Sequence, residues 1–201
     1  MNKKQRADET DDDEDVEKNT SFDNGDPFLV SDQRGQHIRY DFYDEITEPK
    51  RYLNLIRKLE RASEHDLVEL HFVCDGGRMD SMQAIMTAIK RCPARITGHL
   101  DSHAASAASL LFLCCDNWMI TPTSYLMFHD FSGGLIGKGN EMTSQLSHYV
   151  NNFRMIMDQV CHPFLTKKEI DEIGRGKDLW LDATQLSKRL EMLGKSREKR
   201  K

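Results

Sequence analysis

The sequence predicts an α/β protein with a largely parallel sheet, and three observations support this fold class. Short apolar, β-branched segments alternate with segments whose apolar residues recur at helical spacing, which favours parallel strands joined by helical crossovers. The chain has 201 residues, a length that suits one domain. Its composition, with 38% hydrophobic and 30% charged residues, is typical of a globular protein with a single core.

The first half of the chain contains strand and helix signals in turn. Residues 28–43 alternate enough to form one or two short strands, and residues 48–62 carry the apolar stripe of a helix, with Thr47 and Pro49 at its start. Residues 67–74, LVELHFVC, have a buried-strand pattern that ends at DGG. A second helical stripe follows at Met82, Ile85, Met86 and Ile89, and Pro93 closes it.

The second half continues the alternation. RITGHL (residues 95–100) predicts a strand, the stretch around Ser106 a helix, WMIT and YLMF two strands around the turn PTS, and residues 140–161 a long helix. Thr166 and Glu169 form a capping box before a helix that Gly174 stops. Asp182 and Gln185 form a similar cap before residues 186–193, and GRGKDLWL is an extended segment between the two helices.

Charge marks the expected domain boundaries. Eight of the ten residues from Asp8 to Glu17 are acidic, a density that predicts a disordered tail over residues 1–26. The folded domain is expected over residues 27–194. The last seven residues, KSREKRK, include five basic ones and predict a solvated basic tail over residues 195–201, since no interleaved aromatic residues suggest binding to nucleic acid.

Several classes of protein are disfavoured by composition. No apolar run approaches the roughly 20 residues that span a bilayer, and the basic N-terminus has no following apolar region typical of a secretion signal, so a cytoplasmic location is expected. Five scattered cysteines without a CxxC pair predict reduced thiols rather than disulfides or a zinc site. No metal, cofactor, membrane or nucleic-acid partner is expected.

The segment DSHAASAASLLFLCC, residues 101–115, holds the main candidate for chemistry. Ser106 lies between two pairs of alanines, after a predicted strand and before a predicted helix. The first turn of a helix offers unpaired N–H groups and the positive end of the helix dipole, and a sharp strand-to-helix turn requires small neighbours. Ser106 is therefore a candidate nucleophile, although a small-residue packing face gives the same pattern.

A serine nucleophile needs a base and an orienting acid. His129 is the best candidate base, because it follows the apolar strand YLMF, whereas His71 and His148 lie inside a predicted strand and helix. Asp130, Asp178 and Asp182 are candidates for the orienting carboxylate, and Asp182 already serves as a helix cap. Gly76 and Gly77 end a strand and can direct backbone N–H groups at the serine as an oxyanion hole.

Two other segments offer alternative chemistry. Cys74 precedes DGG and is a possible thiol nucleophile, but a buried thiol at the end of a strand is the more ordinary interpretation. GGLIGKGN, residues 133–140, is rich in glycine but lacks the spacing of a phosphate-binding loop. We interpret it as a flexible strand able to hold an extended peptide.

Together these segments resemble the ClpP family of serine peptidases over residues 38–193. The resemblance rests on four segments in order: CDGGRMDSMQAIMTAIK, HAASAASLL, PTSYLMFHDFSGGLIGKGNE and GKDLWLDATQ. The spacing also suits the family, with 29 residues from Gly77 to Ser106, 23 from Ser106 to His129 and 49 from His129 to Asp178.

The resemblance implies a fold and a set of roles. The fold would be the ClpP/crotonase type, with repeated strand-strand-helix units and a protruding strand-helix handle. Ser106, His129 and Asp178 would be the catalytic triad, and the N–H groups of Gly77 and Ala107 the oxyanion hole. Gly133, Gly134, Leu135 and Ile136 would bind the substrate along a β-edge. The resemblance further implies stacked heptameric rings that enclose a chamber, unfolded polypeptides as substrates and a AAA+ ATPase unfoldase as partner.

The sequence departs from the family at three positions near these residues. Asp75 replaces the usual proline before the glycine pair, Ala107 the methionine after the nucleophile, and Phe131 the proline two residues after the histidine. Alternatives within the same ancestry are a phage procapsid maturation peptidase, a weakly active structural ring subunit, and an acyl-CoA enzyme of the crotonase fold that would not need Ser106.

Overall fold

The computed structural model describes residues 28–32 and 35–198, which form one mixed sheet and its covering helices. The predicted acidic tail lies outside the described residues. The strands are β1 (Phe28–Asp32), β2 (Gly35–Phe42), β3 (Leu67–Cys74), β4 (Ile96–Ala105), β5 (Asn117–Ile120), β6 (Tyr125–Phe128) and β7 (Leu179–Asp182). Their order is β1-β2-β3-β4-β6-β7, and β5 pairs with another part of β4. The α/β prediction is confirmed.

Among the described residues, five α-helices lie between these strands and a sixth follows the last one. They are α1 (Leu53–Arg61), α2 (Met79–Arg91), α3 (Ala107–Cys114), α4 (Gly139–Cys161), α5 (Lys167–Ile173) and α6 (Ala183–Glu198), and a 3-10 turn at Pro49–Tyr52 precedes α1. The pairs β2·β3, β3·β4, β4·β5 and β4·β6 are parallel, as crossover connections require, whereas the edge strands β1 and β7 are antiparallel to their neighbours.

The sheet has one apolar and one polar face. On β3, Val68, Leu70 and Phe72 are fully buried, and Phe72 packs edge-on against Phe112 of α3. Side chains alternate between the faces of a strand, so Glu69 and His71 project from the opposite face. The core therefore lies between the sheet and its helices, with a row of polar side chains on the other face.

Three segments differ from the sequence prediction. Strand β4 continues beyond RITGHL to Ala105, because Ala104 and Ala105 pair with β6, and the polar residues in between hid this extension. Residues 129–138 form no strand, since a strand requires a neighbour to pair with and this segment has none among the described residues.

The last helix also continues further than the sequence suggested. Helix α6 extends to Glu198, four residues past the expected domain boundary at 194. Arg197 fixes this end, because its guanidinium donates to the carbonyl oxygens of Leu113 and Cys115 and lies over the Trp118 ring. Of the helices in the described ranges, none combines the length and apolar character needed to cross a membrane.

Candidate active site

Ser106 occupies the turn between β4 and α3 in a strained conformation. Its φ of 55° and ψ of −124° lie in a region that residues other than glycine rarely adopt. As the N-cap of α3 it would ordinarily use its hydroxyl to accept a helix N–H bond, yet the side chain makes no such cap. The hydroxyl is therefore left available for other chemistry.

Close packing around this turn explains the alanines. A Cβ placed on Gly76 would lie 2.6 Å from the Ala105 oxygen, 2.8 Å from the Ser106 Cβ and 3.1 Å from the Ala107 nitrogen. Ala104, Ala105, Ala107 and Ala108 are all buried. The loop after β3 thus presses directly on the backbone of the serine turn, and larger side chains would separate them. Close packing and a partly exposed Ser106 are therefore parts of one arrangement rather than alternatives.

Two backbone N–H groups face the same region as Ser106. Ile46 forms a parallel bridge to Gly77, in which the Ile46 N–H donates to the Gly76 oxygen and the Arg78 N–H donates to the Ile46 oxygen, both at 2.7 Å. This bridge uses the groups on either side of Gly77, so the Gly77 N–H points the other way. Ala107 is the first residue of α3, where the N–H has no partner within the helix.

His129 follows β6 directly and lines the same pocket as Ser106, Gly77 and Ala107. Strand β6 pairs with β4 in parallel, Ala105 facing Met127, and the Ser106 N–H donates to the Met127 oxygen at 2.9 Å. The serine and the histidine therefore emerge from the ends of adjacent strands. The structure brings these two candidates together.

Asp178 immediately precedes β7, which is antiparallel to β6 and pairs Leu179 with Phe128. Extending this register by one residue places Asp178 opposite His129. The Asp178 side chain is exposed, and within the described part of the chain Ser106, His129 and Asp178 make no hydrogen bonds to one another. Hydrogen bonds of this kind are often loose without substrate.

The other two candidate carboxylates have local roles. Asp182 accepts from the Gln185 N–H at 2.9 Å while the Gln185 side chain accepts from the Asp182 N–H, which is the helix cap predicted from the sequence. Asp130 accepts from the N–H of Phe131 at 2.9 Å. Asp178 is left as the carboxylate next to His129 without such a duty.

Apolar side chains form the floor of the pocket beside Ser106. They come from α2, α3, β6, the following loop and α4: Met79, Leu110, Phe128, Phe131, Phe153 and Met157. Phe131, where the family has proline, packs against Phe153 with ring centroids 5.6 Å apart. The sequence did not indicate this pocket, because a helical stripe does not tell a core position from a pocket wall.

A wider groove continues from this pocket along α4. Its cavity volume is about 550 Å³, and it shares Gly77, Met79, Phe131 and Phe153 with the smaller pocket. Gly133, Gly134 and Leu135 line the groove, whereas the Ile136 side chain is fully exposed and does not. Three of the four predicted substrate-binding residues thus border the groove.

Cys74 is a buried thiol rather than a second nucleophile. It is 2% exposed, and burial raises the pKa of its thiol despite the opposing effect of the Gly76 backbone. A thiol with a raised pKa carries little of the reactive thiolate. Asp75, where the family has proline, is exposed and accepts a hydrogen bond from His103 at 3.0 Å, so the substitution adds a polar contact at the base of the glycine loop.

Comparison with known proteins identifies the family to which the chain belongs. The family model described as Clp protease matches residues 39–188, about three quarters of the chain, and covers every candidate residue discussed above. The comparison with curated proteins gives no significant match. The chain therefore belongs to the Clp protease family and is a serine peptidase of the ClpP type.

Proposed function

We propose that this peptidase cleaves unfolded polypeptides with Ser106 as nucleophile, His129 as general base and Asp178 as the group that orients His129. The observation that carries the proposal is the strained, uncapped Ser106 in one pocket with His129 and with Gly77 and Ala107, whose backbone N–H groups are candidate donors to an oxyanion. Strain of this kind costs about 1–3 kcal/mol and persists where the surroundings enforce it, commonly at functional sites.

The chemistry follows from the positions of these groups. His129 removes the Ser106 proton as Oγ attacks the carbonyl carbon of the peptide bond. The oxygen of the tetrahedral intermediate gains negative charge, and the N–H groups of Gly77 and Ala107 stabilise it. His129 then gives the proton to the departing amine, and water activated by His129 hydrolyses the acyl-enzyme. Asp178 holds the imidazole in the tautomer that this sequence requires.

Substrate would lie in the groove beside α4. Gly133, Gly134 and Leu135 border this groove, and their segment pairs with no strand among the residues that the structure describes. Its backbone groups are free to pair with an extended peptide as a β-edge. The neighbouring pocket would hold the side chain before the cleaved bond, and its apolar lining favours an apolar residue there.

We also propose a homo-oligomer of stacked heptameric rings fed by a AAA+ ATPase unfoldase, in the cytoplasm. Exposed apolar side chains on α4 support an oligomer, because Met155 is about half exposed and does not line the groove. Leu146 and Tyr149 are equally exposed, but they also line the groove. Five free thiols support a reducing compartment. For the domain division we propose an acidic tail, residues 1–26, ahead of the peptidase domain.

Labelling with a fluorophosphonate tests the central assignment. We expect the label on Ser106, located by peptide mapping, and loss of about three or more orders of magnitude in peptide turnover for Ser106→Ala, with little change in melting temperature. Ser102→Ala is the matched control, because Ser102 lies on the same strand β4 and its hydroxyl contacts the His103 ring, at 3.4 Å, rather than the serine turn. Labelling of Ser102 or Ser109, or full activity in Ser106→Ala, would overturn the proposal.

The same experiment separates the alternatives. A structural ring subunit would react slowly or not at all with the probe, and an acyl-CoA enzyme of the crotonase type would retain activity without Ser106. Hydrolysis of short peptides without nucleotide leaves the procapsid peptidase and the ATPase-dependent peptidase unresolved. Degradation of a folded substrate with and without an added unfoldase and ATP distinguishes these two.

A further inference from the structure

A cluster of histidines and carboxylates lies on the polar face of the sheet, away from the candidate active site. Glu69 and His71 project from β3, and His99 projects from the neighbouring strand β4, where it pairs with His71 in register. One ligand-type atom from each of these three side chains lies within 4.8 Å of the others. The two imidazole rings stack with centroids 4.3 Å apart and planes 7° apart.

Two nitrogens in this cluster are buried without a hydrogen-bond partner. They are the Nε2 atoms of His71 and His99, and the whole His71 residue is only 8% exposed. The His99 Nε2 lies 3.2 Å from a Glu69 oxygen, but the pair lacks the geometry of a hydrogen bond. Buried polar atoms are nearly always paired, so two such orphans facing one carboxylate point to a bound species between them.

The contact of His71 with Asp101 leaves the lone pair of the His71 Nε2 free to bind an ion. Its Nδ1 lies 2.9 Å from the Asp101 carboxylate, which also accepts a hydrogen bond from Tyr43 at 2.8 Å. An ionised carboxylate only accepts hydrogen bonds, so the proton of a neutral His71 is on Nδ1 and Nε2 is unprotonated. A histidine that donates Nδ1–H to a carboxylate and offers Nε2 is the usual arrangement of a metal ligand and its supporting shell.

Glu69 is similarly supported. Its second oxygen accepts from the His37 Nε2 at 2.6 Å, which leaves the other oxygen facing His99. A carboxylate oxygen in this position would balance part of the charge of a bound cation.

We propose that Glu69, His71 and His99 bind a divalent transition-metal ion of the zinc type. Two imidazole nitrogens and one carboxylate oxygen form a common protein ligand set for Zn²⁺, with water in the fourth position. Zinc–ligand distances of about 2.0–2.2 Å place the ligand atoms of a tetrahedral site roughly 3.4 Å apart. The His99 Nε2 and the Glu69 Oε1 are 3.2 Å apart, close to this value. Binding requires the stacked rings to tilt toward each other.

No motif in the sequence indicates this site, and the sequence predicted no metal. Metal motifs are recognised by cysteine pairs and short spacings, whereas 28 positions separate His71 from His99 and only the strand register makes them adjacent. The ion would cross-link β3 and β4, the strands that lead into the glycine loop and Ser106. This proposal is independent of the assignment of the triad.

Zinc titration of the full-length chain against a chromophoric chelator tests the proposal. We expect one site per chain and a rise of several degrees in melting temperature with Zn²⁺ relative to EDTA. Glu69→Gln and the double variant His71→Gln/His99→Gln should weaken binding by about 100-fold or more, and Asp101→Asn by about 10- to 100-fold, as for other supporting residues. His148→Gln is the control, because that histidine is exposed on α4.

Cobalt distinguishes this site from binding to thiols. Co²⁺ at the proposed site should give visible d–d bands without the near-ultraviolet charge-transfer band of thiolate ligands, and the double variant should lose them. Melting in EDTA checks that the variants fold. If they do not, the Co²⁺ spectrum of the wild-type chain decides. A thiolate spectrum, unchanged binding in the double variant, or no binding tighter than that of surface histidines would overturn the proposal.

Discussion

At the scale of single residues, the position of Ser106 depends on hydrogen bonds from one side of the turn and on close packing of a glycine from the other. Its N–H is fixed by the Met127 oxygen, and Ser109 anchors the first turn of α3 by donating to the Ala104 and Met127 oxygens. Gly76, with a φ of 102°, packs against the turn from the other side. The strained conformation is therefore maintained by β6 and by the glycine loop together.

Replacing Gly76 by alanine should disturb this arrangement without removing any reacting group. The new Cβ would clash with the backbone at Ala105 and with Ser106, and alanine disfavours a positive φ. We expect kcat/KM for a short peptide to fall about 100-fold or more, as for small misplacements of reacting groups. Fluorophosphonate labelling should slow in parallel.

Gly194→Ala provides the matched control. Gly194 lies inside α6, and a Cβ there would only touch Trp118 at an ordinary 3.8 Å. We expect unchanged activity and a stability higher by about 0.5–1 kcal/mol, since alanine favours helix. Equal activity of the two variants in peptide hydrolysis would show that the contact of the glycine loop with the serine turn has no catalytic importance.

At the scale of elements, local signals predicted well what they determine locally. Both helix caps, Thr166 with Glu169 and Asp182 with Gln185, form as the sequence indicated. The sequence also indicated a long helix over residues 140–161, but its periodicity does not show that only the end from Phe153 onward is buried. The extension of β4 to Ala105 was missed for the same reason, because pairing with β6 decides it.

The link between α5 and α6 predicts a dependence of stability on pH. Arg189 donates two hydrogen bonds to the Glu169 carboxylate and lowers its pKa from 4.5 to about 2, with help from Thr166 and against the effect of burial. A carboxyl whose pKa is lowered in the folded state stabilises the protein above its unfolded pKa. This contribution, about 2 kcal/mol, is lost as the pH falls from about 4.5 toward 2.

Glu169→Gln should therefore lower the melting temperature at pH 7, and the difference from the wild type should shrink to about half by pH 3. Glu191→Gln is the control, since Glu191 pairs with Lys195 on the exposed face of α6 and such pairs contribute little. Thermal unfolding from pH 7 to pH 3 measures both. A gap between wild type and Glu169→Gln that stays constant over this range would contradict the argument.

At the scale of the whole molecule, the exposed apolar side chains of α4 predict assembly. We expect the chain of 23.2 kDa to sediment at micromolar concentration as a large oligomer. Met155→Asp should shift it toward smaller species, because it places a charge on the surface proposed to be covered and Met155 is not among the residues that line the substrate groove. Met192→Asp is the control, an equally exposed apolar residue on α6. A monomer at every concentration would contradict the ring proposal.

The sequence found the candidate triad because each member lies at the end of a strand next to a recognisable local pattern. It did not find the apolar pocket floor, which comes from five separate segments that only the fold brings together. The Glu69, His71 and His99 cluster was missed for a related reason, since alternate positions on adjacent strands leave no contiguous motif. Features that depend on contact between distant segments need the structure.

The acidic segment from Asp8 to Glu17 predicts an effect on substrate access rather than on chemistry. The first 20 residues carry eight acidic and four basic side chains, and so hold most of the chain's net charge of −5. In a ring, several copies would surround one entrance and repel acidic substrates over about 10 Å at moderate salt. Deleting residues 1–20 should speed degradation of an acidic unfolded protein more than that of a neutral short peptide. The difference should shrink as salt is added, while fluorophosphonate labelling of Ser106 stays the same. If the deletion leaves the ratio of the two rates unchanged at low salt, the segment does not control access.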